Sequence, residues 1–269
     1  MNKKTHLSFI ILTWNSQKHI SMCLSSIMKS LDTGRFIIDI YIIDNGSTDA
    51  SVSIINNFKT KYPEIINPIF LEKNTGTTYS RNLALKRATG DYIVIMDSDV
   101  EINERTIDEL LGTFIDDQNI GMVVPKLVYG NGNLQKSTDN FPTIWRKLYR
   151  YFFLKQLEEK ENRDPIDTNT KTVDYAISAF WMLKRKIVDD VGLLDENIFY
   201  APEDVDYCLR VWKNGYKILY YPGAYAIHYA QEISRGFRLN KATIEHIKGL
   251  LYYFKKHRYF FIKPSFPIN

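Results

Sequence analysis

A chain of 269 residues, 45% hydrophobic and 25% charged, holds enough apolar material for one large domain or two small ones, and its composition excludes a disordered or low-complexity protein. The net charge of +4 comes without a long Lys/Arg block before the C-terminus, which argues against a nucleic-acid partner. Cys23 and Cys208 both fall in apolar helical patterns and read as reduced core residues, which points to a reducing, cytoplasmic compartment.

The apolar run in "MNKKTHLSFIILTWN" is about half of a membrane span and lacks a small-residue cleavage site, so neither a spanning helix nor a signal peptide is expected. "LSFIIL" reads as a buried strand. After "TWNS" comes a helix with Ile20, Cys23, Leu24, Ile27 and Leu31 on one face. "FIIDIYIID" is the second strand, and Ser47, Thr48 or Asp49 in "NGSTDAS" can cap the helix after it. "INPIFLEKN" gives a third, shorter strand, followed by a helix over roughly Thr78 to Ala88. The run Tyr92–Met96 is a fourth strand; then come a helix carrying Ile107, Leu110, Leu111 and Phe114, and the strand "GMVVPKLV". Strands alternating with helices in this way predict a mostly parallel sheet covered on both faces. Ligands of such sheets bind beyond the carboxyl ends of the strands, which puts Thr13, Asp44, Asp97 and Asp99 on one rim.

Asp97 and Asp99 stand two residues apart at the end of a strand built for burial, so their carboxylates share one side of an extended chain. Like charges so placed repel unless a cation sits between them, and hard divalent ions prefer oxygen ligands. The plainer reading is a turn or helix cap.

Gly130 to Lys171 interrupts the rhythm with the turn-rich "YGNGN", the aromatic and basic "WRKLYRYFFLK" and a polar run. It is expected to be an excursion over the site rather than a separate domain. In "YAPEDVDYCLRVWKNG", Glu203, Asp204 and Asp206 occupy the first turn of a helix. There they can complement the positive helix end, the reading preferred for Asp206, or hold a carboxylate ready for proton abstraction, preferred for Glu203 and Asp204. His228 ends the strand in "KILYYPGAYAIHYA"; it is either structural or the nitrogen ligand of a mixed metal site.

The tail "TIEHIKGLLYYFKKHRYFFIKPSF" reads as a helix with Ile244, Ile247, Leu251, Phe254 and Phe261 on one stripe and Lys248, Lys255 and Lys256 beside it. Such a stripe packs on the domain or rests on an anionic membrane. The stripe, on which Arg258 falls, leaves both open.

"FIILTWN", "YIIDNGSTDAS", "NTGTTYSRNLAL", "GDYIVIMDSDVEI" and "APEDVDYCLRVWKNGYKILYYPGAYAIHY" together resemble the family 2 glycosyltransferases of the GT-A fold, most closely the bacterial branch with rhamnosyl- and galactofuranosyltransferases. The resemblance implies a Rossmann-like α/β domain over 1–236, with a nucleotide-sugar half (1–125) and an acceptor and base half (126–236), and a helical tail over 237–269. It implies nucleobase contacts for Thr13 and Asp44 and a place near the nucleotide for Arg81, with Asn15, Asn45 and Ser98 also assigned to nucleotide-sugar binding; Trp181, with Phe180, either shapes the pocket for donor sugar or acceptor or packs in the core. Asp97 and Asp99 match the family's DxD motif, and His228 a histidine that completes the metal site for Mn2+ or Mg2+. Asp204 matches the general base, supported by Glu203. Tyr175, the run Ser178–Phe180 and Ala201–Pro202 depart from the pattern and leave the sugar open.

The implied reaction is inverting transfer from a nucleoside diphosphate sugar, dTDP-rhamnose or a UDP-sugar, to a glycan or lipid-linked acceptor in surface-polysaccharide assembly. Through its lipid-linked acceptors the resemblance favours residues 243–262 lying peripherally on the inner face of the cytoplasmic membrane. A nucleotidyltransferase would need a glycine-rich, lysine-containing loop after the first strand, which is missing. An inactive binding module would be expected to lack the DxD or the base, and both are present.

Overall fold

The computed structural model describes residues 4–31, 34–146, 169–230 and 241–266. Most of "WRKLYRYFFLK", the polar run after it and the start of the tail lie outside the described residues.

Four parallel strands form one side of a ten-stranded sheet: β3 (Ile66–Phe70), β2 (Phe36–Asp44), β1 (Thr5–Thr13) and β4 (Tyr92–Asp97), in that order. The sheet continues through β11 (Phe180–Lys184), β6 (Ile120–Tyr129), β12 (Lys217–His228) and β5 (Val100–Ile102). The short β7 (Leu134–Gln135) pairs with β6, and β9 (Lys171–Thr172) with β12; β8 (Thr138–Asp139) and β10 (Tyr175–Ala176) make a separate pair.

Burial on both faces explains why β1 reads as an unbroken apolar run. Leu7, Phe9 and Ile11 enter one core and Ile10 the other, as the alternation of a strand requires. The first core is closed by α1 (Ile20–Ser30), α2 (Ser51–Lys61) and α4 (Thr106–Asp116). The second is closed by α3 (Thr77–Leu85), α5 (Arg185–Val191), α6 (Glu203–Lys213) and α7 (Lys241–His257), which contributes Tyr253 and Phe254. Cys23 and Cys208 are buried and free.

One expectation shifts: the helix after β3 stops at Leu85 rather than Ala88. Strand β11 runs antiparallel between β4 and β6. Among the described residues no helix is long and apolar enough to cross a membrane.

Candidate active site

The parallel registers level the carboxyl ends of three strands: Thr13 pairs with Asp44, and Leu12 with Asp97. Thr13 and Asp44 are buried at this rim. Asp44 Oδ2 accepts the Ser47 N–H at 3.0 Å, while Asp44 Oδ1 and Thr13 Oγ1 have no hydrogen-bond partner among the described residues. Buried polar atoms are rarely left unpaired, so this pair is suited to a ligand's polar edge.

Asn15, held at φ 51°, ties the first two rim loops together: its N–H donates to Ser47 Oγ at 2.8 Å and its Oδ1 accepts the Thr48 N–H at 2.8 Å. Three further residues expected at the nucleotide sugar, Asn45, Ser98 and Trp181, have side-chain polar atoms bonded within the protein. Asn45 Nδ2 donates to Asn74 Oδ1 (3.2 Å) and the Gly76 carbonyl (3.1 Å), and Asn45 Oδ1 accepts from the Thr75 N–H (2.8 Å) and Ser80 Oγ (3.0 Å). Ser98 Oγ donates to Ser16 Oγ at 2.8 Å. Trp181 is fully buried, donates to the Ala176 carbonyl and stacks on Tyr207.

Gly76 lets the loop before α3 lie directly on the segment before α6. Its φ is +86°, and a Cβ there would sit 2.2 Å from the Phe199 carbonyl oxygen. The Thr77 N–H donates to that oxygen at 2.8 Å, and Thr78 Oγ1 donates to the Ile198 carbonyl at 2.7 Å. This close approach brings Arg81 on α3 to Glu203 on α6.

Arg81 is buried at the centre of the site. Nη2 donates to Asp97 Oδ1 at 2.6 Å and Nη1 to Ser178 Oγ at 2.8 Å, with Glu203 Oε1 3.5 Å from Nη1. Ser178 Oγ in turn donates to Glu203 Oε1 at 2.9 Å. One guanidinium thereby joins the end of β4 to the start of α6. Burial and the neighbouring Asp204 charge push the Glu203 carboxyl up to about 8, against the pull of Arg81 and Ser178. Asp204, beside it in the first turn, is partly exposed and accepts the Val205 N–H at 2.8 Å.

Asp97, Asp99 and His228 offer two carboxylate oxygens and one imidazole nitrogen within 4.8 Å of one another. His228 Nε2 lies 3.4 Å from Asp99 Oδ1, and its Nδ1 is 2.8 Å from Gln135 Oε1, which fixes the ring. Desolvation pushes Asp97 up and Asp99 adds to it, while Arg81 and His228 pull it down. Burial works to lower His228, but the hydrogen bond and charge of Asp99, with Asp97, raise it overall. A divalent cation fits this donor set, because its charge relieves the carboxylate repulsion and its preferred ligands are oxygen and imidazole nitrogen.

Gln135 and Ser178 carry no sequence signal as site residues. Gln135 reaches His228 only through the β6–β7 hairpin, and Ser178 reaches Arg81 only through the loop before β11. Asp206 lies in the first turn of α6, as expected, and is also buried and bonded to Arg210 (2.9 Å), Lys256 (2.6 Å) and His257 (2.8 Å). Burial works to raise its carboxyl, but the hydrogen bond to His257 and the charges of Arg210 and Lys256 outweigh it and hold it low.

Residues 8–192 match the model of "Glycosyl transferase family 2". The chain belongs to that family. Poly(ribitol-phosphate) beta-N-acetylglucosaminyltransferase TarS of Staphylococcus aureus is 32% identical over 126 residues, 46% of this chain and 21% of TarS. The chain therefore spans well under two thirds of that relative. A Methanococcus voltae protein named as a dolichyl N-acetyl-alpha-D-glucosaminyl phosphate glucuronosyltransferase is 22% identical over 246 residues, covering 91% of this chain and 73% of its own. Among solved structures, GalNAc-T7 with UDP, GalNAc and Mn2+ superposes with a TM-score of 0.70 at 16% identity, covering 95% of this chain and 48% of that one. The mixed α/β sheet is that of the GT-A glycosyltransferases, as the resemblance implied.

Proposed function

We propose that this family 2 glycosyltransferase moves a sugar from a nucleoside diphosphate donor to a hydroxyl of a glycan or lipid-linked acceptor in surface-polysaccharide assembly. The observation that carries the reading is the Arg81 bridge. It sets the Asp97–Asp99–His228 cluster and the Glu203–Asp204 pair on two sides of one rim.

The geometry supports the roles that the resemblance implies. Asp44 Oδ1, an acceptor unpaired among the described residues, suits the ring N–H of uracil, thymine or guanine and would leave cytosine without a matching donor. Asp97, Asp99 and His228 would hold Mn2+ or Mg2+, which when bound supplies positive charge against the diphosphate leaving group. Asp204 takes the acceptor proton while that oxygen bonds to the anomeric carbon and the carbon–diphosphate bond breaks on the opposite face, so that the configuration inverts. The names of TarS and the dolichyl-linked relative support a polymeric or lipid-linked acceptor. The donor sugar is a UDP-sugar or dTDP-rhamnose.

A thermal-shift panel of UDP-, dTDP-, GDP- and CDP-sugars with and without Mn2+ tests the donor reading, since a ligand of the folded state raises Tm by mass action. A metal-dependent rise with a uridine or thymidine donor is expected, and about 3 kcal/mol of stabilisation accompanies donor at a hundred times its Kd. Flat curves across the panel would overturn the reading.

We extend the proposal to a lipid surface. The stripe read from the sequence divides in the structure: Phe254 is buried, while Leu251 is 67% and Ile262 84% exposed, along with Ile244, Ile247 and Phe261. Trp145 joins the exposed side, its ring 5.7 Å from Phe261. From 241 to 266 six basic residues face one acid, Glu245, which complements an anionic headgroup layer. Ile247→Ser with Leu251→Ser is expected to cut sedimentation with phosphatidylglycerol vesicles at least tenfold. Equal sedimentation of wild type and variant would return α7 to a purely packing role.

A further inference from the structure

One face of α7 is turned to lipid in the reading above; the opposite face meets the segment that carries Asp204. At Gly249 the α7 backbone lies directly on Ala201–Pro202, where an added Cβ would stand 2.2 Å from the Ala201 carbonyl oxygen and 3.1 Å from Pro202 Cδ. One turn further on, Tyr252 Oη donates to Asp195 Oδ2 at 2.9 Å and accepts from Asn197 Nδ2 at 3.2 Å. Lys256 Nζ then bridges both ends of the segment, reaching Asp195 Oδ2 at 2.7 Å and Asp206 Oδ1 at 2.6 Å, and His257 Nε2 meets the same Asp206 oxygen at 2.8 Å. The other side of the segment is held by Thr77 and Thr78 of α3 through the Phe199 and Ile198 carbonyls.

From these contacts we infer that α7 positions the general base: it clamps residues 195–206 against the donor half, so that Asp204 is aimed only when the tail helix is seated. The inference rests on the reading of Asp204 as the base. The clamp is separate from the way α7 covers the core. Core cover comes from Tyr253 and Phe254, whereas Gly249, Tyr252, Lys256 and His257 make the contacts to the 195–206 segment. Asp195 and Asp206 lie eleven positions apart in sequence and share one ammonium group. Loss of that group removes the link between the two anchors, leaving Asp195 to Tyr252 and Asp206 to Arg210 and His257.

The test uses the full chain with Gly249→Ala, Lys256→Met and Lys256→Arg, and two readouts. The first is steady-state transfer with the donor and metal identified by the panel. Gly249→Ala and Lys256→Met are expected to lower kcat by about 10²-fold, the loss that a 1 Å misplacement can bring, with donor Kd unchanged within twofold. Lys256→Arg, which retains the bridging charge, is expected to keep most of the wild-type kcat. The second readout is amide hydrogen exchange. The first two variants are expected to speed exchange in 195–206 while β1 and β4 stay protected. If wild type transfers no sugar, the catalytic reading fails and the exchange readout still judges the clamp. Wild-type exchange in 195–206 for both variants would overturn it. So would a fall in kcat matched by an equal loss of donor affinity, which marks a merely structural helix.

Discussion

Asp204→Asn is expected to slow transfer by about 10²- to 10⁴-fold, the contribution of a positioned general base, with donor Kd unchanged within twofold. The amide keeps the size of the carboxylate and can still accept the Val205 N–H, so the start of α6 is preserved while the proton acceptor is lost. Glu203 is not placed to take over, because it is buried, its Oε1 accepts from Ser178 Oγ at 2.9 Å and the same oxygen lies 3.5 Å from Arg81 Nη1. In the wild type, burial and the Asp204 charge push the Glu203 carboxyl up to about 8, so Glu203→Gln, which imitates its neutral form, is expected to keep kcat within about tenfold, far above the loss assigned to the base. Steady-state kinetics with isothermal titration of the donor separates the two positions. Wild-type turnover in Asp204→Asn would remove the base assignment.

Arg81→Met is expected to lower unfolding stability by about 3–5 kcal/mol, the loss typical when one partner of a buried ion pair is removed. The guanidinium is 1% exposed and meets Asp97, Ser178 and Glu203, so its removal leaves two carboxyl groups without their cation. Arg81→Lys is not expected to rescue, because an ammonium cannot reproduce the fork that reaches Asp97 and Ser178 together. Urea unfolding measures the change directly. A loss under about 1 kcal/mol, the scale of an exposed pair, would mean that the bridge is open to water.

The resemblance and the patterning carried different parts of the site. Thr13, Asp44, Asp97 and Asp99 were readable because each ends an apolar run, and a parallel sheet sends such ends to one rim. Asn45, Ser98 and Trp181 sit in or beside the same motifs, and their internal partners became visible only in the fold. Nothing local distinguishes an asparagine that bonds Asn74 and Ser80 from one that bonds a ligand.

By itself the sequence determined the alternation of β1 to β4 with α1 to α3, both acidic clusters and the amphipathic tail, since each depends on the periodicity of one strand or one helix turn. Only the tertiary structure decided that β11 inserts antiparallel beside β4, that Gln135 fixes His228, and that Arg81, bonded to Asp97, also meets Glu203 122 positions further along the chain. It also decided that Asp206, in the first turn of its own helix, is bonded to the tail helix as well. The physical reason is the same in each case. A side chain's partner across the fold is set by which backbones can approach closely, as at Gly76 and Gly249, and that approach leaves no periodic trace in either segment alone.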